Sequence, residues 1–175
     1  EASAAGEGAL EAGAAEVVVN DGHAAARNIL PELLHPKARL LQGRVKPLGI
    51  CAGLDDSFDI ALAVGYHAPP SRADGILNHA YHPFLLKWAG VEWDEVGLVA
   101  AVAGHFGVPL GLVTGDEATI ERARALLPPH VGVAVKRGLT RFAADSLHPE
   151  EARERVRAGA REAVERRGEF ESLRF

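Results

Sequence analysis

Two histidines follow apolar runs closely enough to be candidates for imidazole chemistry at the ends of strands. His23 follows the valine run 17–19 through Asn-Asp-Gly, and His67 follows the apolar run 60–64 through Gly-Tyr. Both runs are typical of buried strands, and the glycine after each lets the backbone turn. Imidazole nitrogen suits zinc, which at catalytic sites has histidine and carboxylate ligands and one position open for water. The pair therefore predicts a metal site, although each imidazole could instead cap a helix or hydrogen-bond within a loop.

Other groups could add to this chemistry. Glu95 is a candidate carboxylate ligand at the start of a predicted helix, but the helix dipole explains an acid in a first turn equally well. His79 and His82 lie in the segment NHAYHP, where their spacing alone is a weak metal signal. Cys51 lies in GICAGLDD without an obvious partner, so we expect a small buried apolar side chain rather than a nucleophile.

The elements that position these residues alternate along the chain. Apolar runs predict strands at 17–19, 39–41, 60–64, 108–113 and 131–135, and helical periodicity predicts helices at 1–15, 24–34, 95–106, 118–127 and 149–167. For the Ala- and Gly-rich segment 1–15, a frayed leader is the alternative. The alternation predicts an α/β fold, a mostly parallel sheet with helices on both faces. Ligands of such sheets bind beyond the carboxyl ends of the strands, where His23 and His67 fall.

Composition limits the class of protein. With 175 residues, 47% of them hydrophobic, the chain can form one core, and nothing divides residues 1–175 into two domains. A net charge of −5 with mixed signs predicts no nucleic-acid or membrane partner. The sequence has neither a bilayer-length apolar run nor a signal peptide, and its single cysteine excludes an internal disulfide, so we expect a cytoplasmic protein. Because methionine is absent even at position 1, we expect a fragment of a longer protein.

Several short motifs in order carry a family resemblance. EVVVNDGH, LHP, VKPLGICAGLDDSFDIALAVGYHA, GILNHAY, DEVGLVAAVAGHFGVPLGLVTGDE and VAVKRG closely resemble the zinc-dependent D-aminopeptidase family. The resemblance implies a metallo-aminopeptidase with two zinc ions per active site. It also implies hydrolysis of N-terminal D-amino acids from short peptides such as D-Ala-D-Ala, and assembly into a homo-oligomer, a decamer.

The resemblance also implies roles for individual residues. His23, His67 and Glu95 match zinc ligands of the family. His79, preceded by Asn78 where the family has serine, matches its active-site residue, which could act as nucleophile, proton shuttle or oxyanion partner. The family's Asp-x-Glu ligand motif is missing from the sequence, and we expect it upstream of Glu1. The alternative is a non-catalytic binding or structural relative that keeps the fold without a full metal site.

Overall fold

The computed structural model describes residues 1–80, 86–88 and 90–174. The helices are α1 (Ala2–Glu11), α2 (Glu95–His105), α3 (Glu117–Leu126) and α4 (Pro149–Glu165). The strands are β1 (Val17–Asn20), β2 (Ala38–Leu41), β3 (Ala61–Ala63), β4 (Leu86–Trp88), β5 (Val91–Trp93), β6 (Leu110–Asp116), β7 (Val131–Thr140) and β8 (Ala143–Ser146). Among the described residues, no helix is both long and apolar enough to cross a membrane.

The strands form a central sheet and two separate strand pairs. The central sheet has the order β3-β6-β7-β8, with parallel pairing between its first three strands and antiparallel pairing between β7 and β8. Strands β1 and β2 form a parallel pair, and β4 and β5 an antiparallel hairpin. The predicted α/β class with a mostly parallel sheet is confirmed.

Helices cover both faces of the central sheet, as predicted. Leu112 and Val113 in β6 are both 0% exposed and point to opposite faces, because side chains alternate along a strand. Leu112 belongs to a cluster with residues of α1 and α4, and Val113 to one with residues of α2 and α3. The buried strand β6 thus holds all four helices in place and fixes where the loops at its carboxyl end begin.

Two glycines on α1 provide a test of how closely α1 packs on α4. A Cβ atom added at Gly8 would lie 2.1 Å from the carbonyl oxygen of Arg157 in α4, whereas one added at Gly6 would lie 3.8 Å from the nearest atom, in Val17. We therefore expect Gly8→Ala to lower the free energy of unfolding by about 1–3 kcal/mol, because the helices must separate. Gly6→Ala is the matched control and should be neutral or raise it by about 0.5–1 kcal/mol. Urea unfolding of both variants measures the difference, and equal effects would contradict close helix packing at Gly8.

The structure corrects two sequence predictions and adds two features that were not predicted. The helix predicted at 24–34 is wrong, because Ala24 and Ala26 have φ of 47° and 53°, outside the right-handed helical region, and only Pro31–Leu33 forms a short 3-10 turn. The valine strand, predicted as fully buried, is only half-buried. The hairpin β4–β5 and strand β8 were not predicted. The first correction affects the site, since the misassigned segment follows His23.

Candidate metal centre

His67 leaves the central sheet at the carboxyl end of β3. The backbone N–H of Gly65 donates to Thr114 Oγ1 (2.8 Å) and that of Tyr66 donates to the Thr114 carbonyl oxygen (2.9 Å). Thr114 is 0% exposed within β6. The two residues before His67 are therefore tied to the most buried strand, which fixes the point from which the imidazole extends.

His79 is held by a loop that folds back on the same sheet end. The side-chain amide of Asn78 donates to the carbonyl oxygen of Arg72 (2.6 Å), which closes the loop. The backbone N–H of Ile76 donates to Oδ2 of Asp116 (2.6 Å), a side chain 1% exposed at the end of β6. The asparagine that replaces the family's serine thus has a structural role here, and the anchor for His79 lies 37 residues further along the chain.

Glu95 is presented by the start of α2. The preceding residue, Asp94, is 3% exposed and caps the helix, its Oδ1 accepting the backbone N–H of Gly97 (2.7 Å). Burial raises the pKa of Asp94, although the hydrogen bond from Gly97 and the charge of Arg122 oppose this shift. Asp94 therefore serves the helix, and Glu95 is the carboxylate that faces the histidines.

The structure brings the four predicted site residues together. Ligand atoms of His67, His79 and Glu95 all lie within 4.8 Å of one another, with 3.4 Å between His67 Nε2 and Glu95 Oε2. The rings of His67 and His79 stack with centroids 3.7 Å apart. The His23 ring lies edge-on to His79 at 6.0 Å and is exposed, whereas the other three residues are half-buried. Three loops and the start of α2 thus converge on one site.

The orientation of the imidazoles suits metal binding. Nδ1 of His79 lies 2.5 Å from the Leu77 carbonyl oxygen, and Nδ1 of His67 lies 3.4 Å from that of Ala68. A carbonyl oxygen can only accept, so each contact is compatible with a hydrogen on Nδ1, and in that neutral tautomer Nε2 carries the lone pair that a metal ion needs. Metal-binding histidines commonly show this arrangement, with the second nitrogen donating to a backbone carbonyl.

The electrostatics of Glu95 favour the ionised form. Burial acts to raise its pKa, but the contact with His67 and the positive charges that His67, His79 and His23 carry when protonated outweigh burial, so the pKa lies below its usual range. Imidazole nitrogens and an ionised carboxylate form the nitrogen and oxygen donor set that zinc prefers. The described residues therefore fit a zinc site.

The geometry differs from the predicted ligand set in one respect. The sequence predicts His23, His67 and Glu95 as ligands and His79 as a separate catalytic residue. In the structure, the tight group of three donors contains His79, and His23 lies beside it. His82, noted above as a weak metal candidate, lies outside the described residues.

Cys51 is buried in the core, and Asp55 hydrogen-bonds within a turn. Cys51 is 5% exposed, and burial raises the pKa of its thiol to about 11, so the prediction of a buried apolar side chain is confirmed. Asp55 accepts the backbone N–H of Ser57 (2.9 Å) within an exposed turn. Asp21 and Asp116, which were not predicted as site residues, are buried and support the loops of the site. Their position directly at strand ends was the signal that could have identified them.

Comparisons with known proteins show the family to which the chain is similar. The sequence profile of a family described as D-aminopeptidase matches residues 1–175. A curated relative named D-aminopeptidase, from Bacillus subtilis (strain 168), is 39% identical over 148 residues. A solved structure described as "Zn-dependent D-aminopeptidase DppA from Bacillus subtilis, a self-compartmentalizing protease" is similar to this chain with a TM-score of 0.93 and 33% identity.

The similarity covers more of this chain than of its relatives. The curated match spans 82% of this chain and 53% of the relative, and the structural match spans 98% of this chain and 63% of the solved one. The chain therefore spans about half the length of the curated relative that it matches.

Proposed function

This chain belongs to the D-aminopeptidase family, and we propose that it forms the α/β lobe of a zinc-dependent aminopeptidase that hydrolyses short peptides with an N-terminal D-residue, such as D-Ala-D-Ala. The convergence of His67, His79 and Glu95 within 4.8 Å at the sheet end carries the proposal. Such a set of nitrogen and oxygen donors has no role in packing the core, and it fits the metal named for the solved relative.

We assign the residues as follows. His67, Glu95 and His23 hold zinc, and the proposal includes two zinc ions per site, as the family resemblance implies. When bound, zinc polarises the carbonyl of the scissile amide and lowers the pKa of a bound water toward neutrality. His67 and Glu95, half-buried and in contact, orient each other, so the donor set is formed before any substrate enters.

His79 is the proton carrier in this proposal. In this assignment its Nδ1–H donates to the Leu77 carbonyl oxygen, and Nε2 of the neutral ring carries the lone pair. A neutral Nε2 can accept a proton from the attacking water and return it to the departing amine. Stacking on His67 keeps the ring in this position, so a proton shuttle needs less rearrangement than a nucleophilic attack by the ring.

The assembly proposal rests on the solved relative. That protein is described as self-compartmentalizing, and we propose that the protein containing this chain is also a homo-oligomer, a decamer. We also propose a cytoplasmic location, as the sequence analysis predicts. Size-exclusion chromatography with light scattering on the full-length protein measures its oligomeric state.

The activity is tested on the full-length protein with D-Ala-D-Ala and L-Ala-L-Ala as substrates. We expect hydrolysis of the D-dipeptide, loss of nearly all activity after zinc is removed with a chelator, and recovery when zinc is returned. Recovery is the control for damage by the chelator. Zinc binding without hydrolysis of either dipeptide would favour the non-catalytic relative instead, and hydrolysis that survives complete zinc removal would contradict the metal mechanism.

A further inference from the structure

The segment after β1 is wrapped around one buried carboxylate. Asp21 is 3% exposed, and its Oδ2 accepts the backbone N–H groups of Asn28 (2.5 Å) and Ile29 (2.8 Å). Its Oδ1 accepts the side-chain amide of Asn28 (2.9 Å). Hydrogen bonds to a charged group contribute more than neutral ones. This explains why residues 24–29 form a closed loop rather than the helix that their sequence suggests.

Asn28 also forms a hydrogen bond with His23, the exposed histidine of the site. Asn28 Nδ2 donates to the His23 carbonyl oxygen (2.7 Å), which also accepts the backbone N–H of Ala26 (2.8 Å). The peptide group after His23 is therefore held from two directions. Ala24 and Ala26 adopt positive φ values that are unfavourable for alanine, so the surrounding contacts must maintain this backbone.

We propose that Asp21 and Asn28 are positioning residues for His23: the carboxylate orders the loop, and the asparagine amide connects it to the His23 carbonyl. The effect on zinc binding rests on the proposed function. The ordering of the loop is independent of it. Lys46 Nζ completes the arrangement by donating to the carbonyl oxygens of Asp21 (2.6 Å) and Leu41 (3.2 Å), which ties the loop to β2.

Asn28 suits this position because one nitrogen carries two hydrogens. Nδ2 can donate to Asp21 and to His23 at once, which neither a serine hydroxyl nor a carboxylate can do. Asn28→Ala removes both of these bonds but keeps the backbone N–H that donates to Asp21. Asn28 is also exposed, so the variant should fold. Ser57→Ala is the matched control, because it removes a side-chain donor from another aspartate, Asp55, in an exposed turn away from the site.

The first measurement uses the full-length protein without metal. Amide hydrogen exchange should become roughly 10-fold faster at Ala26, Asn28 and Ile29 in Asn28→Ala, because this loop opens locally while the core stays folded. Exchange in the central sheet should not change, and Ser57→Ala should leave residues 24–29 unaffected. Unchanged exchange in Asn28→Ala would overturn the inference whether or not the protein binds zinc.

The second measurement is zinc affinity, determined by competition with a coloured chelator. We expect Asn28→Ala to bind zinc roughly 10-fold more weakly than the wild type, as is typical when a residue supporting a ligand is lost. In the double variant His23→Ala, Asn28→Ala, affinity should equal that of His23→Ala alone, because Asn28 acts through His23. Additive losses would overturn the positioning role. A wild-type protein that binds no zinc would instead refute the proposed function. The exchange result would still decide whether Asn28 orders the loop.

Discussion

Replacing Glu95 with glutamine is expected to remove zinc from the site and nearly all peptidase activity with it. Glu95 is the acid in the group of three donors, and its carboxylate is ionised beside two imidazoles. Structural zinc sites with four ligands have apparent binding free energies of about 10–16 kcal/mol, so one ligand accounts for roughly 3 kcal/mol, or about two orders of magnitude in affinity. Glutamine keeps the shape of the side chain, so the fold should persist.

The matched control for this variant exists in the same chain. Asp116 and Glu117 begin α3 as Asp94 and Glu95 begin α2, an aspartate cap followed by an acid in the first turn. Glu117 is exposed, so Glu117→Gln removes only the favourable interaction with the helix dipole, about 0.3–1 kcal/mol of stability. Zinc content by atomic emission, unfolding in urea and hydrolysis of D-Ala-D-Ala are measured for both variants. If Glu95→Gln behaves like Glu117→Gln, Glu95 is a helix-dipole residue and not a ligand.

The sequence was sufficient to predict the strand ends of the site. His23 and His67 follow apolar runs whose strand character is local, and the structure has strands there, β1 and β3. The convergence of the donors could not be predicted from spacing, because it depends on contacts between distant residues. The hydrogen bond between Ile76 and Asp116 is such a contact, and it fixes the loop of His79. The family resemblance supplied what periodicity lacked, since it placed all four residues in one site.

Two of the differences, in segment 24–34 and in strand β8, have a related physical cause. Segment 24–34 has apolar residues at helical spacing, but the Asp21 carboxylate competes for its backbone N–H groups and stabilises a loop instead. Strand β8 pairs with β7, although all four of its residues are exposed, so no apolar pattern marks it. In both segments side-chain or backbone hydrogen bonding decides the structure. A prediction based on apolar periodicity does not take this hydrogen bonding into account.

Replacing His79 with alanine is the variant that separates the two roles open to this residue. As a proton carrier, His79 contributes a factor typical of general acid–base catalysis, so we expect kcat to fall about 10²–10⁴-fold. Zinc content should stay at the wild-type level, because in the proposed assignment His23, His67 and Glu95 hold the metal. The geometry makes the test necessary, since His79 belongs to the tight group of donors and stacks on His67 at 3.7 Å.

The control for His79→Ala is His105→Ala, which removes an exposed histidine from the end of α2 and should preserve both zinc content and kcat. Circular dichroism of each variant checks that the fold is intact. If zinc is lost in parallel with activity from folded His79→Ala, His79 is a metal ligand, and His23 becomes the candidate for the proton carrier. That exchange of roles is chemically consistent because His23 is exposed and its ring lies 6.0 Å from that of His79. If activity is unchanged, neither role for His79 is correct, and the proton must move through His23 or through water.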